Sequence, residues 1–233
     1  MPRCARIVLP DYPHHVILRG NNRRRLFSYK NDYAKFLFLL GAALPRDGTL
    51  LHALAMMTNH VHLVLTARDA STMAKTMKSV AQRYALYRNR RRESTGKLFE
   101  ERYRCFPILG TEQLGVVTCY VDANPLRAGM VTEPEDYAWS TCALHSGERN
   151  HRIPSGLWTP SAWYESLSDD PSERRARYRE QLRHYVGLGV APEHVSAAAS
   201  AEHLSASSYA RRVERPDRSR AEEPREAYGK VRP

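Results

Sequence analysis

The stretch TNHVHLVL, at residues 58–65, constrains the fold more than any other part of the chain. Its alternation is typical of a β-strand, in which positions i and i+2 point to the same face. His60 and His62 are therefore predicted to lie side by side, while Val61 and Leu63 point to the other face. An HxH pair also arises by chance with each ring simply hydrogen-bonded, so a metal site requires further ligands elsewhere.

The chain carries a large positive charge. It has 233 residues and a formal net charge of +11, and its hydrophobic fraction of 42% supports a substantial core. Most of the charge lies before residue 195, in the part that is predicted to fold, so we expect a polyanionic partner. Nucleic acid is the first candidate, and an acidic membrane surface is the alternative.

The cysteines and the apolar segments exclude several classes of protein. Four cysteines occur without a CxxC pair, which argues against a zinc ribbon and against a disulfide framework. No apolar run approaches the about 20 residues that span a bilayer, and the first residues lack the apolar core of a signal peptide. We therefore expect reduced, mostly buried thiols in a cytoplasmic protein without a membrane anchor. The cysteines are Cys4, Cys105, Cys119 and Cys142.

The rest of the pattern alternates strands with helices. Residues 49–65 are predicted to form two strands joined by a tight turn at residues 57–59. Pro125 is expected to end or kink its helix, because it lacks an N–H and disfavours helical geometry at the residue before it. This order predicts an α+β fold with one antiparallel sheet covered by helices. The other predicted strands are residues 14–20 and 97–108, and the predicted helices are residues 31–44, 70–92 and 110–131.

A second motif lies on the last of these helices. Tyr120 and Asn124 are four residues apart in CYVDANP, so they are predicted to be neighbours on one helical face. Asn offers an amide oxygen that Mg²⁺ or Mn²⁺ accepts. Tyr offers a phenol that can attack a phosphodiester when a metal and positive charge assist it. Alone the pair is weak evidence, because a helical tyrosine is more often a core residue.

Together the motifs are similar to those of the single-tyrosine HUH transposases. The segments RGNNRRRLF, TNHVHLVL, KLFEERY, YVDANPLRAGMV and EDYAWST resemble, in order, the successive blocks of the REP-associated tyrosine transposases, which are also called IS200-like transposase domain proteins. The resemblance runs from about residue 7 to residue 140, and ANPLRAGMV is its most specific segment.

The resemblance implies both a fold and a site. The implied fold is a ferredoxin-like or RRM-like antiparallel sheet with the HxH motif on a central strand and helices on one face. The implied site has His60, His62 and Asn124 as ligands of Mg²⁺ or Mn²⁺, and Tyr120 as the nucleophile that forms a 5′-phosphotyrosine bond to single-stranded DNA. Insertion-sequence relatives often have Gln at the position of Asn124, so coordination by Asn124 directly or through a water stays open.

Three regions are expected along the chain. Residues 1–145 are predicted to be the catalytic domain of the HUH single-tyrosine type. Residues 146–190 are predicted to be a helical C-terminal extension with a helix at residues 171–186. Residues 191–233 have almost no large apolar side chains and are predicted to be a disordered basic tail.

Basic residues flank the predicted site, and the net charge favours phosphate contact over a merely solvated face. The expected partner is single-stranded or hairpin-forming DNA, bound by a monomer or a homodimer. Two alternatives stay open: a non-catalytic RRM-like nucleic-acid-binding protein, and a hydrolytic nuclease that leaves no covalent adduct. The predicted DNA contacts are Arg19, Asn22, Arg23, Arg24, Arg83, Arg88, Arg102, Arg104 and Arg127.

Overall fold

The computed structural model describes residues 6–189 as a four-stranded antiparallel sheet with helices. The strands are β1 (Pro13–Arg19), β2 (Thr49–Met56), β3 (His60–Ala67) and β4 (Arg104–Pro107). The sheet order is β2-β3-β1-β4. The helices are α1 (Lys30–Asp47), α2 (Ala70–Arg91), α3 (Thr111–Arg127), α4 (Cys142–Ser146), α5 (Ala162–Ser166) and α6 (Pro171–Gly187), with 3-10 turns at Asn21–Arg23, Pro134–Asp136 and Ser155–Leu157.

The HxH motif lies on β3, an interior strand of the sheet. β3 pairs with β2 on one side and with β1 on the other, and both pairings are antiparallel. The register places His62 opposite Ile17 of β1 and opposite Ala55 of β2. β2 and β3 are joined by the predicted turn at residues 57–59. The sheet therefore fixes the histidines from both sides.

Helices cover both faces of the sheet. Val61 and Leu63 of β3 pack with α1 and α2 in one core, whereas Val64 packs with α3 in a second core on the other face. The predicted α+β antiparallel sheet is confirmed, with a correction to its layers, since helices lie on two faces rather than one. Ala53 and Ala55 of β2 explain the second layer, because these small buried side chains let α3 lie close to the sheet.

Two predicted boundaries differ from the structure. α3 continues through Pro125 and ends at Arg127, because a proline in the last turn deprives only one carbonyl of its usual donor and leaves few residues to distort. The strand predicted at residues 97–108 is shorter, since β4 has only four residues. Upstream of β4, Phe99 forms an isolated bridge with Gly20.

The C-terminal helices pack against α3. α6 is the helix predicted at residues 171–186, and its Tyr178 and Tyr185 are buried in the second core. Asp122 of α3 has no exposed surface and accepts hydrogen bonds from three side chains. The donors are Tyr178 Oη at 2.6 Å, His145 Nδ1 at 2.7 Å and Thr141 Oγ1 at 3.0 Å. This network joins α3 to α4 and α6.

Three of the four cysteines lie within the described residues. Cys105, Cys119 and Cys142 are free thiols, and the last two are buried. Cys4 and the tail predicted at residues 191–233 lie outside the described residues. Within residues 6–189, no helix combines the length and the apolar character needed to cross a membrane.

Two helical glycines lead to opposite predictions for stability. A Cβ at Gly115 of α3 would lie 2.4 Å from the ring of Trp163, whereas one at Gly41 of α1 would meet only Leu157, at 3.8 Å. We expect Gly115→Ala to lower the free energy of unfolding by about 1–3 kcal/mol through overpacking. Gly41→Ala should raise it by about 0.5–1 kcal/mol through helix propensity. Urea denaturation followed by circular dichroism measures both, and equal effects would contradict the packing of α3 on α5.

Candidate active site

The paired histidines of β3 line a cavity of about 330 Å³. Its walls come from β1, β3, the segment that leads into β4, and α3. The cavity brings together the four residues that the sequence motifs single out, although they lie on two separate elements. The lining residues are Ile17, Arg19, His60, His62, Glu100, Glu101, Arg102, Arg104, Tyr120 and Asn124.

The two imidazoles on β3 are held through their Nδ1 atoms. Their ring centroids are 4.8 Å apart, and the ring planes are at 85°. His60 Nδ1 is 2.7 Å from Asn59 Oδ1, and His62 Nδ1 is 2.9 Å from His15 Nε2. In the described part of the chain, the Nε2 atom of neither ring has a hydrogen-bond partner. Neither nitrogen is therefore occupied by a protein partner among these residues.

Burial keeps both imidazoles neutral. It lowers the pKa of His60 to about 4, and the charge of Arg19 adds to this effect. Burial also lowers the pKa of His62 well below its usual range, with smaller contributions from the neighbouring His15, His60 and Arg19. Neutral imidazoles keep the nitrogen lone pair that a metal ligand requires.

Sequence reasoning missed His15 of β1, which belongs to the same cluster. Its ring stacks on that of His62 with centroids 5.1 Å apart, and it meets the ring of Tyr120 edge-on at 5.7 Å. The side chain is buried, and burial lowers its pKa to about 4. His15 could have been selected from the sequence, because the alternation of β1 places it on the same face as Ile17 and Arg19.

α3 presents the predicted nucleophile to this cluster. The ring centroid of Tyr120 is 5.5 Å from that of His62. Burial raises the pKa of Tyr120, while the side chain of Asn124 and the charge of Arg127 act in the opposite direction. Asn124 Nδ2 donates to the backbone carbonyl of Tyr120 at 2.8 Å, which leaves Asn124 Oδ1 for another partner.

The donor atoms around the cavity fit a divalent cation. Among residues 6–189, no three side chains of His, Cys, Asp and Glu come together as a metal site. Asn124 lines the same cavity and can supply an amide oxygen. Together with the histidine pair it would give a set of two imidazole nitrogens and one oxygen, with positions left for water and substrate oxygens.

Charged side chains of both signs surround the cavity. Arg19, Arg102 and Arg104 are exposed at the cavity, where they can contact phosphate oxygens. Glu100 and Glu101 also line it, although sequence reasoning did not select them. Glu101 accepts a hydrogen bond from Arg104 at 3.2 Å. The KLFEERY segment thus supplies acidic residues as well as basic ones.

The loop after β1 brings further predicted contacts close to the histidines. Asn22, Arg23 and Arg24 are all exposed. Asn22 and Arg23 adopt left-handed backbone conformations, with φ of 50° and 56°. Asn59, which precedes His60, donates a side-chain hydrogen bond to the carbonyl of Arg23 at 3.2 Å. This hydrogen bond holds the loop of residues 22–24 next to the histidine pair.

Arg127 lies at the outer end of α3, beyond the cavity lining. It is exposed, and its guanidinium carbon is 6.0 Å from the ring centroid of Tyr120. Its Nη1 donates to the hydroxyl of Tyr185 at 3.1 Å. The structure thus places this predicted contact next to Tyr120, the predicted nucleophile.

Two predicted DNA contacts on α2 lie away from the site. Arg83 is exposed on α2, which covers the sheet face opposite the histidines. Arg88 is only 2% exposed, and its Nη1 lies 3.5 Å from the buried carboxylate of Asp32. Its Nη2 donates to the carbonyl of Arg25 at 3.4 Å. The prediction of a DNA contact at Arg88 is wrong, because a buried, paired guanidinium cannot reach a phosphate.

The fold and the cavity place the chain among α+β proteins in which an HxH strand lies beneath a helix that carries a tyrosine. The family model described as "Transposase IS200 like" matches residues 9–124, which include the whole sheet and all four motif residues. The chain belongs to the IS200-like transposases.

A solved structure with the same fold is a REP-associated tyrosine transposase. The structure of a REP-associated tyrosine transposase bound to a REP hairpin is 15% identical, with a TM-score of 0.52 over 69% of this chain and 93% of that chain. A candidate transposase from Deinococcus radiodurans R1 is 17% identical, with a TM-score of 0.36 over 50% of this chain and 93% of that chain. No curated protein matches the chain.

The arginines of α2 can be separated by their effects on stability. Arg88→Ala should lower the free energy of unfolding by about 3 kcal/mol, because it leaves the buried Asp32 carboxylate without one of its two arginine partners. Arg83→Ala is the matched control on the same helix and should change stability by less than about 0.5 kcal/mol. Thermal and urea unfolding measure both. An Arg88→Ala protein of unchanged stability with weakened DNA binding would restore Arg88 as a DNA contact.

Proposed function

We propose that this IS200-like transposase is a metal-dependent single-stranded DNA endonuclease and strand transferase. The observation that carries the proposal is the meeting of Tyr120 with the histidine pair in one cavity, where the centroids of Tyr120 and His62 are 5.5 Å apart. A phenol, two neutral imidazoles and an amide oxygen are groups that a metal-assisted transesterification of a phosphodiester uses.

Tyr120 is the nucleophile of this reaction. Its Oη forms a bond to the phosphorus, and the bond between phosphorus and the 3′-oxygen of the preceding nucleotide breaks. The phenolic proton leaves to solvent, and the departing oxygen takes up a proton to become a 3′-OH. The products are a 5′-phosphotyrosine and a free 3′ end. Because the aryl ester stays activated, a 3′-OH can later attack it and release Tyr120.

The phenol needs assistance near neutral pH, because burial raises the pKa of Tyr120. Arg127 and the side chain of Asn124 supply part of it, since each acts to lower that pKa. His60, His62 and Asn124 would hold Mg²⁺ or Mn²⁺, which when bound polarises the scissile phosphate.

The proposed substrate is single-stranded DNA next to a hairpin-forming repeat. The net charge of +11 and the exposed arginines around the cavity favour a nucleic-acid partner. A REP-associated tyrosine transposase of the same fold is bound to a REP hairpin in its solved structure. We assign this chain to the REP-associated branch and expect it to act as a monomer or a homodimer in the cytoplasm.

The competing function is a non-catalytic RRM-like nucleic-acid-binding protein, which the four-stranded antiparallel sheet and the net charge of +11 also fit. Such a protein would bind DNA in a salt-sensitive way, ignore divalent metal and tolerate loss of the Tyr120 hydroxyl. A hydrolytic nuclease would instead cut DNA and leave no protein–DNA adduct.

Covalent capture of labelled DNA tests the nucleophile. Wild-type protein, Mn²⁺ and single-stranded DNA with a hairpin should give a protein–DNA band on a denaturing gel, and chelation of the metal should remove it. Tyr120→Phe should abolish the band because it lacks the attacking oxygen, whereas Tyr12→Phe, at an exposed tyrosine outside the cavity, should retain it. Cleavage without a band would indicate the hydrolytic nuclease, and binding with neither would indicate the RRM-like protein.

Salt dependence tests the arginine contacts. In a Tyr120→Phe background, Arg24→Ala and Arg102→Ala should each weaken binding and reduce the slope of log K against log salt by about one. Arg46→Ala removes an arginine that pairs with Asp47 at the end of α1, away from the cavity, and should leave the slope unchanged. Fluorescence anisotropy at several salt concentrations gives the slopes. Equal slopes for all variants would exclude Arg24 and Arg102 as phosphate contacts.

A further inference from the structure

His15 is buried directly behind the histidine pair. Its side chain is 4% exposed, and it does not line the cavity, although His62 does. In the antiparallel register of β1 and β3, His15 lies opposite Val64, so it is a diagonal neighbour of His62 on the same sheet face. The fold thus places a third imidazole where it can touch a ligand residue but cannot reach the substrate.

The contacts of His15 fix the position of its ring. The ring stacks on His62 at an interplanar angle of 19°, meets Tyr120 at 80°, and tilts against Phe106 of β4 with centroids 6.4 Å apart. Its Nε2 lies 2.9 Å from His62 Nδ1. Packing on three sides therefore holds one nitrogen of His15 against one nitrogen of His62.

The direction of this hydrogen bond decides what His62 can do. A neutral imidazole carries one proton, so between two neutral rings one nitrogen donates and the other accepts. If His62 Nδ1 donates, His62 Nε2 keeps its lone pair toward the cavity. If His15 Nε2 donates instead, the proton of His62 lies on Nε2 and blocks coordination. Only the first arrangement gives a metal ligand.

We propose that His15 is a positioning residue that accepts the Nδ1 proton of His62 and so holds His62 in the tautomer and orientation that bind a divalent cation. This rests on the metal site of the proposed function and adds a residue to it. His15 Nδ1 then carries the proton of that ring. Loss of an outer hydrogen-bond partner of this kind weakens metal binding by about 10- to 100-fold.

Mn²⁺ titration of the full-length protein without DNA tests the effect on the metal. His15→Phe keeps an aromatic ring against Tyr120 and Phe106 but removes the acceptor, so the Kd for Mn²⁺ should rise by about 10- to 100-fold. His15→Gln offers an amide oxygen as acceptor and should restore most of the affinity.

His14 supplies the matched control on the same strand. It is buried, its Nε2 accepts the N–H of Leu9, and it faces away from His62. His14→Phe should therefore leave Mn²⁺ affinity within about twofold, whatever it costs in stability. A His15→Phe protein that binds Mn²⁺ as wild type does, or that loses affinity no more than His14→Phe does, would overturn the role of His15.

Histidine NMR of the metal-free protein provides a readout that needs no metal. Long-range ¹H–¹⁵N correlations should show His62 protonated at Nδ1, and His15→Phe should shift His62 toward the other tautomer. A wild-type His62 protonated at Nε2 would overturn the proposal even if the variants lost affinity.

The variant His60→Ala tests the proposed metal site independently of the role of His15. If wild type and His60→Ala bind Mn²⁺ equally, or not at all, the metal site of the proposed function fails. In that case the NMR measurement of the His62 tautomer still tests the hydrogen bond from His62 to His15, because it is made without metal.

Discussion

The placement of α3 depends on a buried carboxylate. Asp122 has no exposed surface and would be costly to bury without partners, but it accepts hydrogen bonds from Tyr178, His145 and Thr141. Residues 120 and 122 lie about 200° apart around a helix. The helix can therefore fasten one side to α4 and α6 through Asp122 while it turns Tyr120 and Asn124 toward the sheet. The C-terminal helices thus help to set the position of Tyr120, although they contribute nothing to the cavity lining.

Neutral histidines and charged arginines occupy different parts of the cavity. Neutral histidines supply lone pairs at the floor, and burial together with Arg19 keeps them neutral by lowering the pKa values of His60 and His62. Exposed arginines supply charge at the cavity, where a phosphate can be contacted without burying a guanidinium. On α2, by contrast, Arg88 is buried and pairs with the buried Asp32. The exposure of an arginine therefore separates the candidate phosphate contacts from the arginine that stabilises the core.

Much of the fold and part of the site could be predicted because they depend on local periodicity. The alternation in TNHVHLVL predicted one face for His60 and His62, and the helical spacing predicted one face for Tyr120 and Asn124. Pro125 did not end α3, because the effect of a helical proline depends on how many helical residues follow it. Only two residues of α3 follow Pro125. Helices on the second sheet face could not be foreseen, because Ala53 and Ala55 permit a close helix without requiring one.

By itself, the sequence determined the first three strands and the long helices, the basic character of the chain and the residue types of the candidate site. Only the tertiary structure decided which residues share a space. Strand register placed His15 against His62, the buried network at Asp122 turned α3 toward the sheet, and burial removed Arg88 from the surface. The physical reason is that periodicity fixes the direction of a side chain relative to its own element. Contact between elements depends on long-range packing, and no local pattern records it.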